Sequence, residues 1–257
     1  MYKGIDVSDN QGVINWVKVK EAGCQFAILR SVRRSGKADY QFAANVAGCI
    51  TNGIPIEVYK YMYALTPTQA AEEARQVVAL LRSYGLTCRV WIDVEDKSLR
   101  TLSRGVLTGL IQTEADVLTG AGLEYGIYTG KSFYEEKVFD TTAFPCPMWI
   151  ARYPHSNYFS LADNPPADSY KPVTMQQLFG WQYTSRGRVD GINGVVDLDV
   201  CYVPFWTRSE PQENTEHKYI YVNSVADTWT QEEAVKAHER FAAVGINTVV
   251  HKVEIKA

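Results

Sequence analysis

Apolar residues in the first 208 positions fall into short runs separated by stretches with helical spacing. Runs begin near Gly4, Gln25, Pro55, Arg89 and Glu124. Short apolar runs bounded by turn residues predict buried strands. Residues 66–84 carry the clearest helical pattern between them. Thr68 can cap it, Ala71, Ala74, Val78 and Leu81 form one apolar stripe, and Gly85 is the stop. A second helix is predicted from about Ser103 to Ala121, ending at Gly122. Strands alternating with helices predict a parallel sheet covered by helices. After Thr129 the rhythm changes: apolar runs at 148–151, 178–184 and 195–200 follow with little helix between them. The pattern is that of an α/β barrel of about eight strands. It would have five helical crossovers, then three strands joined mainly by loops.

A different texture begins at residue 209. Residues 209–217 are polar and acidic, with one proline and no large apolar residue, which reads as a linker. Residues 218–257 then predict one strand–helix–strand unit. Tyr219-Ile220-Tyr221-Val222 reads as a strand. Thr230 and Glu233 have capping-box spacing ahead of a helix that runs to Val244 and stops at Gly245. Residues 248–255 alternate as a second strand. A unit this short rarely holds a core alone, and its open sheet edges invite pairing. The expectation is a homo-oligomer, at least a dimer, through 218–257. The domain reading is therefore a barrel over 1–208, a linker over 209–217 and a small module over 218–257.

Composition narrows the classes. Hydrophobic content of 46% and charged content of 21% fit a soluble globular chain. Residues 1–208 hold 21 basic and 21 acidic residues, and residues 218–257 hold five of each, so the net charge of −3 lies in the linker. With no basic patch on either side, nucleic acid is not an expected partner. No run is long enough to span a membrane, and the first residues have no apolar core of signal-peptide length. Synthesis in the cytoplasm, without a membrane partner, is expected. Five widely spread cysteines, an odd number, predict buried free thiols rather than a disulfide framework.

The chemistry concentrates in Arg89-Val90-Trp91-Ile92-Asp93-Val94-Glu95-Asp96. An apolar strand runs into two carboxylates at alternate positions, and strand side chains alternate with period two. Asp93 and Glu95 should therefore share a face. Two like charges held together raise one proton affinity, the arrangement that general acid chemistry on a glycosidic bond requires. In (β/α) barrels function sits at the C-terminal strand ends. Read in order, those ends supply Asp6 and Ser8; Arg30; Tyr59, Tyr61 and Tyr63; Asp93 and Glu95; Tyr128; Trp149 and Arg152; Trp181, Gln182 and Tyr183; and Asp197 and Asp199. Carboxylates walled by flat rings suit a sugar. For each aromatic alone the competing reading is core packing. For Asp6 and Asp197 it is capping, or pairing with Arg30 or Arg152.

Other chemistries fit less well. A zinc hydrolase needs His or Cys ligands, and of His155, His217, His238 and His251 three fall in the linker or tail. A magnesium phosphoesterase would want a glycine-rich phosphate turn after a strand, and none is visible. No Gly-x-Ser-x-Gly or His-Glu-x-x-His occurs. No metal or cofactor is expected.

Six motifs together resemble one family. They are Gly4-Ile5-Asp6-Val7-Ser8, Trp91-Ile92-Asp93-Val94-Glu95, Gly126-Ile127-Tyr128-Thr129, Met148-Trp149-Ile150-Ala151-Arg152-Tyr153, Trp181-Gln182-Tyr183-Thr184 and Val196-Asp197-Leu198-Asp199. Their order and spacing resemble glycoside hydrolase family 25, the N-acetylmuramidases or Chalaropsis-type lysozymes, often phage endolysins. The resemblance covers about residues 1–206. It implies a modified (β/α) barrel and hydrolysis of the β-1,4 bond after N-acetylmuramic acid in bacterial peptidoglycan. It also implies that Glu95 is the general acid and that Asp93 stabilises the reacting centre, as nucleophile or by orienting the substrate's N-acetyl group. Asp6 and Asp197 match two further pocket aspartates, and Tyr59, Tyr63, Tyr128 and Trp181 match rim aromatics. Trp149, Arg152, Gln182, Arg30 and Asp199 complete the expected substrate-binding set. Two departures stand out. Arg30-Ser31-Val32-Arg33-Arg34 replaces a common Lys-Ala-Thr-Glu-Gly, and Lys60 stands where many relatives have His or Trp. Both bear on substrate subsites. A non-catalytic wall-binding barrel, or another glycosidase acting on an N-acetylated polysaccharide, is the alternative. The first would have no need for four mutually repelling carboxylates. The tail resembles half of a SPOR-type peptidoglycan-binding fold, which implies wall binding for 218–257.

Overall fold

The computed structural model describes residues 1–203. The expected linker, the strand–helix–strand module and the dimer assigned to it lie outside the described residues. Eight strands close into one barrel in chain order: β1 (Tyr2–Val7), β2 (Phe26–Arg30), β3 (Ile56–Tyr61), β4 (Val90–Asp93), β5 (Tyr125–Gly130), β6 (Met148–Ala151), β7 (Leu178–Gly187) and β8 (Val196–Cys201). Five α-helices make the crossovers between the first six strands: α1 (Trp16–Glu21), α2 (Phe42–Thr51), α3 (Pro67–Ser83), α4 (Arg104–Gly120) and α5 (Lys131–Glu135). After β6 the connections carry no α-helix.

The sheet is not wholly parallel. β1 to β7 pair in parallel, but β8 runs antiparallel to both β7 and β1. Parallel neighbours need a long crossover, whereas the short stretch between β7 and β8 permits only a reversal. The active end of the barrel therefore receives the N-terminal half of β8. Register sets Asp197 beside Asp6, and Asp199 beside Gly4 further down the barrel.

Local chemistry accounts for the long helices. α3 is capped by Thr66, whose hydroxyl accepts from Gln69 N, with Pro67 just inside the first turn. That corrects the expected cap at Thr68, because a proline at the first helical position sets the start. Its buried stripe is Ala70, Ala74, Val77, Val78 and Leu81, with Ala71 only half-buried. Ser103 caps α4. Gly85 and Gly122 follow these helices at φ of 62° and 80°, where a side chain would be strained.

Two apolar layers result. One lies between the barrel wall and the helices. The other fills the barrel and includes Phe26, Ile28, Trp91, Tyr128, Trp149 and Phe179. Trp91 packs edge-on to Trp149 with ring centres 5.8 Å apart, and an ideal Cβ on Gly126 would lie 2.3 Å from the Trp91 ring. Beneath them Arg89 sits 3.4 Å from Glu57, and Trp91 Nε1 donates to Glu57 at 2.6 Å. These side chains fill the lower part of the barrel. Outside the barrel wall, Lys60 on β3 is buried between Glu73 of α3 and Glu114 of α4, an ion-paired clamp. All five cysteines are free, four of them buried and Cys88 partly so. Among the described residues no helix is long and apolar enough to cross a membrane.

Candidate active site

The upper end of the barrel holds a cavity of about 290 Å³. β1 contributes Asp6, β2 Arg30, β3 Tyr59 and Tyr61, and β4 Asp93, with Glu95 just past the strand end. Tyr63 follows β3, Tyr128 comes from β5, Trp149 from β6 with Tyr153 beyond it, Gln182 from β7 and Asp197 from β8. Asn10 reaches the rim on a 3-10 turn capped by Ser8, whose hydroxyl accepts from Asn10 N at 3.2 Å. Period two explains the selection. Tyr59 and Tyr61 face the cavity while Lys60 between them faces the helices.

Four carboxylates converge here, and burial dominates each of them. It holds the Asp93 carboxyl well above the usual range, helped by the charges of Glu95 and Asp6. It raises Glu95 too, with the Tyr128 hydroxyl pulling the other way by hydrogen bonding to the charged form. Asp197 is pushed up to about 8 by burial and then by Asp6 and Glu95. Asp6 is raised well above its ordinary value by burial and next by Asp199. Asp6 and Asp199 are in hydrogen-bond contact, which requires a proton between them. Asp199 Oδ2 is buried and accepts from no nitrogen or hydroxyl donor. Asp93 Oδ1 is buried and unpartnered.

A chain of hydrogen bonds links these groups. Gln182 Nε2 donates to Asp6 Oδ2 at 2.7 Å. Gln182 Oε1 accepts from the Tyr128 hydroxyl at 2.8 Å and from the Tyr153 hydroxyl. Trp149 Nε1 donates to Asp199 Oδ1 at 2.8 Å. Tyr128 has one proton for two acceptors, Gln182 Oε1 and the ionised Glu95 carboxylate, so the two compete for it. The amide of Gln182 cannot rotate without breaking bonds on both of its ends.

Of the expected site residues, Glu95, Asp93, Asp6, Asp197, Tyr59, Tyr63, Tyr128, Trp149, Gln182 and Arg30 line the cavity. Three do not. Trp181 is buried on the outer side of β7, donating Nε1 to Arg152 O at 2.7 Å and packing on Tyr183. Adjacent residues on a strand face opposite ways, so Gln182 inside requires Trp181 outside. Arg152 turns away, with Nη1 donating to Tyr170 O at 2.5 Å. Asp199 lies beneath the cavity, behind Asp6. Asn10, Tyr61 and Tyr153 line the cavity but were outside the expected set. For Tyr61 the signal was present, since it shares the Tyr59 face. Asn10 lies on a short 3-10 turn and Tyr153 on a loop, where no strand period marks a face. Neither Asp6 nor Asp197 forms an ion pair with Arg30 or Arg152: Arg30 faces Asp9 at 3.8 Å. Among the described residues, no group of three or more His, Cys, Asp or Glu side chains is placed to hold a metal ion.

Residues 5–192 match the family model described as Glycosyl hydrolases family 25. The chain is 29% identical over 197 residues to an autolytic lysozyme of Clostridium acetobutylicum, covering 77% of this chain and 55% of that protein. It thus spans about half the length of that relative. The modular autolysin LytC from Streptococcus pneumoniae, solved with a synthetic peptidoglycan ligand, superposes with a TM-score of 0.64 at 26% identity, over 78% of this chain and 46% of that one. The catalytic domain of endolysin ply40, from bacteriophage P40 of Listeria monocytogenes, gives a TM-score of 0.64 at 25% identity, over 78% and 93% of the two chains.

Proposed function

The chain belongs to glycosyl hydrolases family 25, and on that premise we propose that it is a lysozyme, an N-acetylmuramidase that hydrolyses the β-1,4 bond after N-acetylmuramic acid in bacterial peptidoglycan. One observation carries the reading. A cavity walled by tyrosines and Trp149 gathers Asp6, Asp93, Glu95 and Asp197, each with raised proton affinity. Aromatic faces stack on the apolar faces of sugar rings, and carboxylates accept from their hydroxyls.

Glu95 is the general acid of this proposal. Its raised proton affinity keeps a proton available for the leaving oxygen, and Tyr128 accepts or donates as Glu95 changes charge. Asp93, with an unpartnered buried oxygen, is the group that meets the reacting centre. As positive charge develops on the sugar, a neighbouring carboxylate is more stabilising there than in the ground state. Asp6, oriented by Gln182 and backed by Asp199, and Asp197 line the same wall. The test is mass analysis of reducing ends after digestion of purified wall. A muramic acid reducing end is expected. A glucosamine reducing end, or peptide release alone, would overturn the reading.

Two broader proposals rest on the sequence. The chain is a phage or prophage endolysin that acts on the wall after release from the host cytoplasm. Residues 218–257 bind wall and join two copies, so that avidity holds two active sites on one polymer.

A further inference from the structure

We propose that Arg30, with Arg34 behind Tyr63, forms an anion-reading edge of the cavity that takes a carboxylate of the peptide carried by the glycan. The inference rests on the muramidase reading and extends it to the substrate's non-sugar part. Among the described residues that line the cavity, Arg30 is the one cation, facing four carboxylates. Its guanidinium is poorly satisfied. Nη2 donates to the Tyr63 hydroxyl at 3.0 Å, Nε is buried without a partner, and Asp9 stands 3.8 Å from Nη1, beyond hydrogen-bond reach. A guanidinium has five donors in a planar fork matched to a carboxylate.

The surroundings extend the edge. The Arg34 guanidinium lies 5.0 Å over the Tyr63 ring, so that ring carries a cation on its face and another at its hydroxyl. Tyr63 also packs on Tyr61, with ring centres 4.7 Å apart, and both line the cavity. Arg33 is committed elsewhere: Nε donates to Ala38 O at 2.9 Å and the guanidinium sits 3.6 Å over Tyr40. A neutral sugar hydroxyl would not need the charge. An acidic cavity alone would repel a substrate bearing carboxylates, and one under-satisfied guanidinium at its edge offsets that repulsion locally. The competing reading is that Arg30 only balances the charge of the aspartates.

Two soluble muropeptide oligomers separate these readings. They share one glycan and differ only in whether the peptide carboxylates are free or amidated. The readout is the ratio of kcat/KM for the acidic over the amidated form. The wild-type ratio is expected to be roughly tenfold, the scale of one charge-assisted contact. Arg30→Gln should bring the ratio near one, Arg30→Lys should keep part of it, and Arg34→Gln should reduce it. A wild-type ratio of one, or an Arg30→Gln variant that slows both forms while keeping the ratio, would overturn the proposal. Failure of the wild-type protein to cut either glycan would overturn the muramidase reading itself, and this one with it.

Discussion

Glu95 and Asp93 stand two positions apart at the end of β4, and both line the cavity. Glu95→Gln should keep the thermal transition and lose about 10²–10⁴-fold in rate, the usual general-acid contribution. A reducing-sugar assay beside a melting curve checks both halves. Gln182 makes a sharper test of the hydrogen-bond chain. In the wild type Gln182 competes with Glu95 for the single proton of Tyr128. Gln182→Leu frees that proton for Glu95 and stabilises the ionised form. The proton affinity of Glu95 should fall, and the alkaline limb of the pH–rate profile should move to lower pH. A limb that stays in place would mean Tyr128 and Glu95 do not exchange this bond. Asp197 gives a stability test. Burial, with Asp6 and Glu95 beside it, pushes its folded pKa up to about 8 from the ordinary 3.8. The stability it contributes is present below the unfolded value and is lost as pH rises through the folded one. Asp197→Asn removes that loss. Its melting temperature should match the wild type near pH 4 and exceed it at pH 8, by about 2 °C or more.

At the scale of elements, the barrel wall is tied to its helices through Lys60. Its ammonium is buried between Glu73 and Glu114, and Glu73 also accepts from Tyr63 N at 3.2 Å. The clamp therefore joins β3, α3 and α4 to the segment that presents Tyr63. Lys60→Ala would leave Glu114 buried and Glu73 half-buried without their cation, a loss of about 3–5 kcal/mol. Denaturant unfolding should show it as a lower midpoint at unchanged slope. The helix boundaries were legible because caps and stops are local: Ser103, Gly85 and Gly122 stand where the pattern placed them. The cap of α3 is Thr66 rather than Thr68 because Pro67 takes the first helical position. Trp181, expected at the rim from the family resemblance, lies outside the cavity because period two sends Trp181 and Gln182 to opposite faces.

For the molecule as a whole, the barrel and the tail raise separate questions. If residues 218–257 join two copies, light scattering of the full chain at micromolar concentration should give a dimer. A chain ending at Thr207 should give a monomer that still cuts short soluble glycans but lyses whole cells less well. A monomeric full-length mass would end the assembly proposal. The crossovers were legible as a count, with helices after the first five strands and no α-helix in the connections from β6 to β8. The direction of β8 was not, because apolar runs look alike in either orientation and only the length of the connection separates them.

Periodicity and local chemistry were enough to determine the elements, their order, the barrel class and the shared face of Asp93 and Glu95, since each depends on neighbours within a few residues. What the tertiary structure decided depends on closure. Only when β8 runs back beside β1 does Asp197 come level with Asp6, and only then does Asp199 drop behind it to share a proton. Only closure brings Gln182 across to Asp6, 176 positions away, and buries the carboxylates that raise one another's proton affinity. Burial and mutual charge act through space, so a linear pattern can nominate these residues but cannot set their depth.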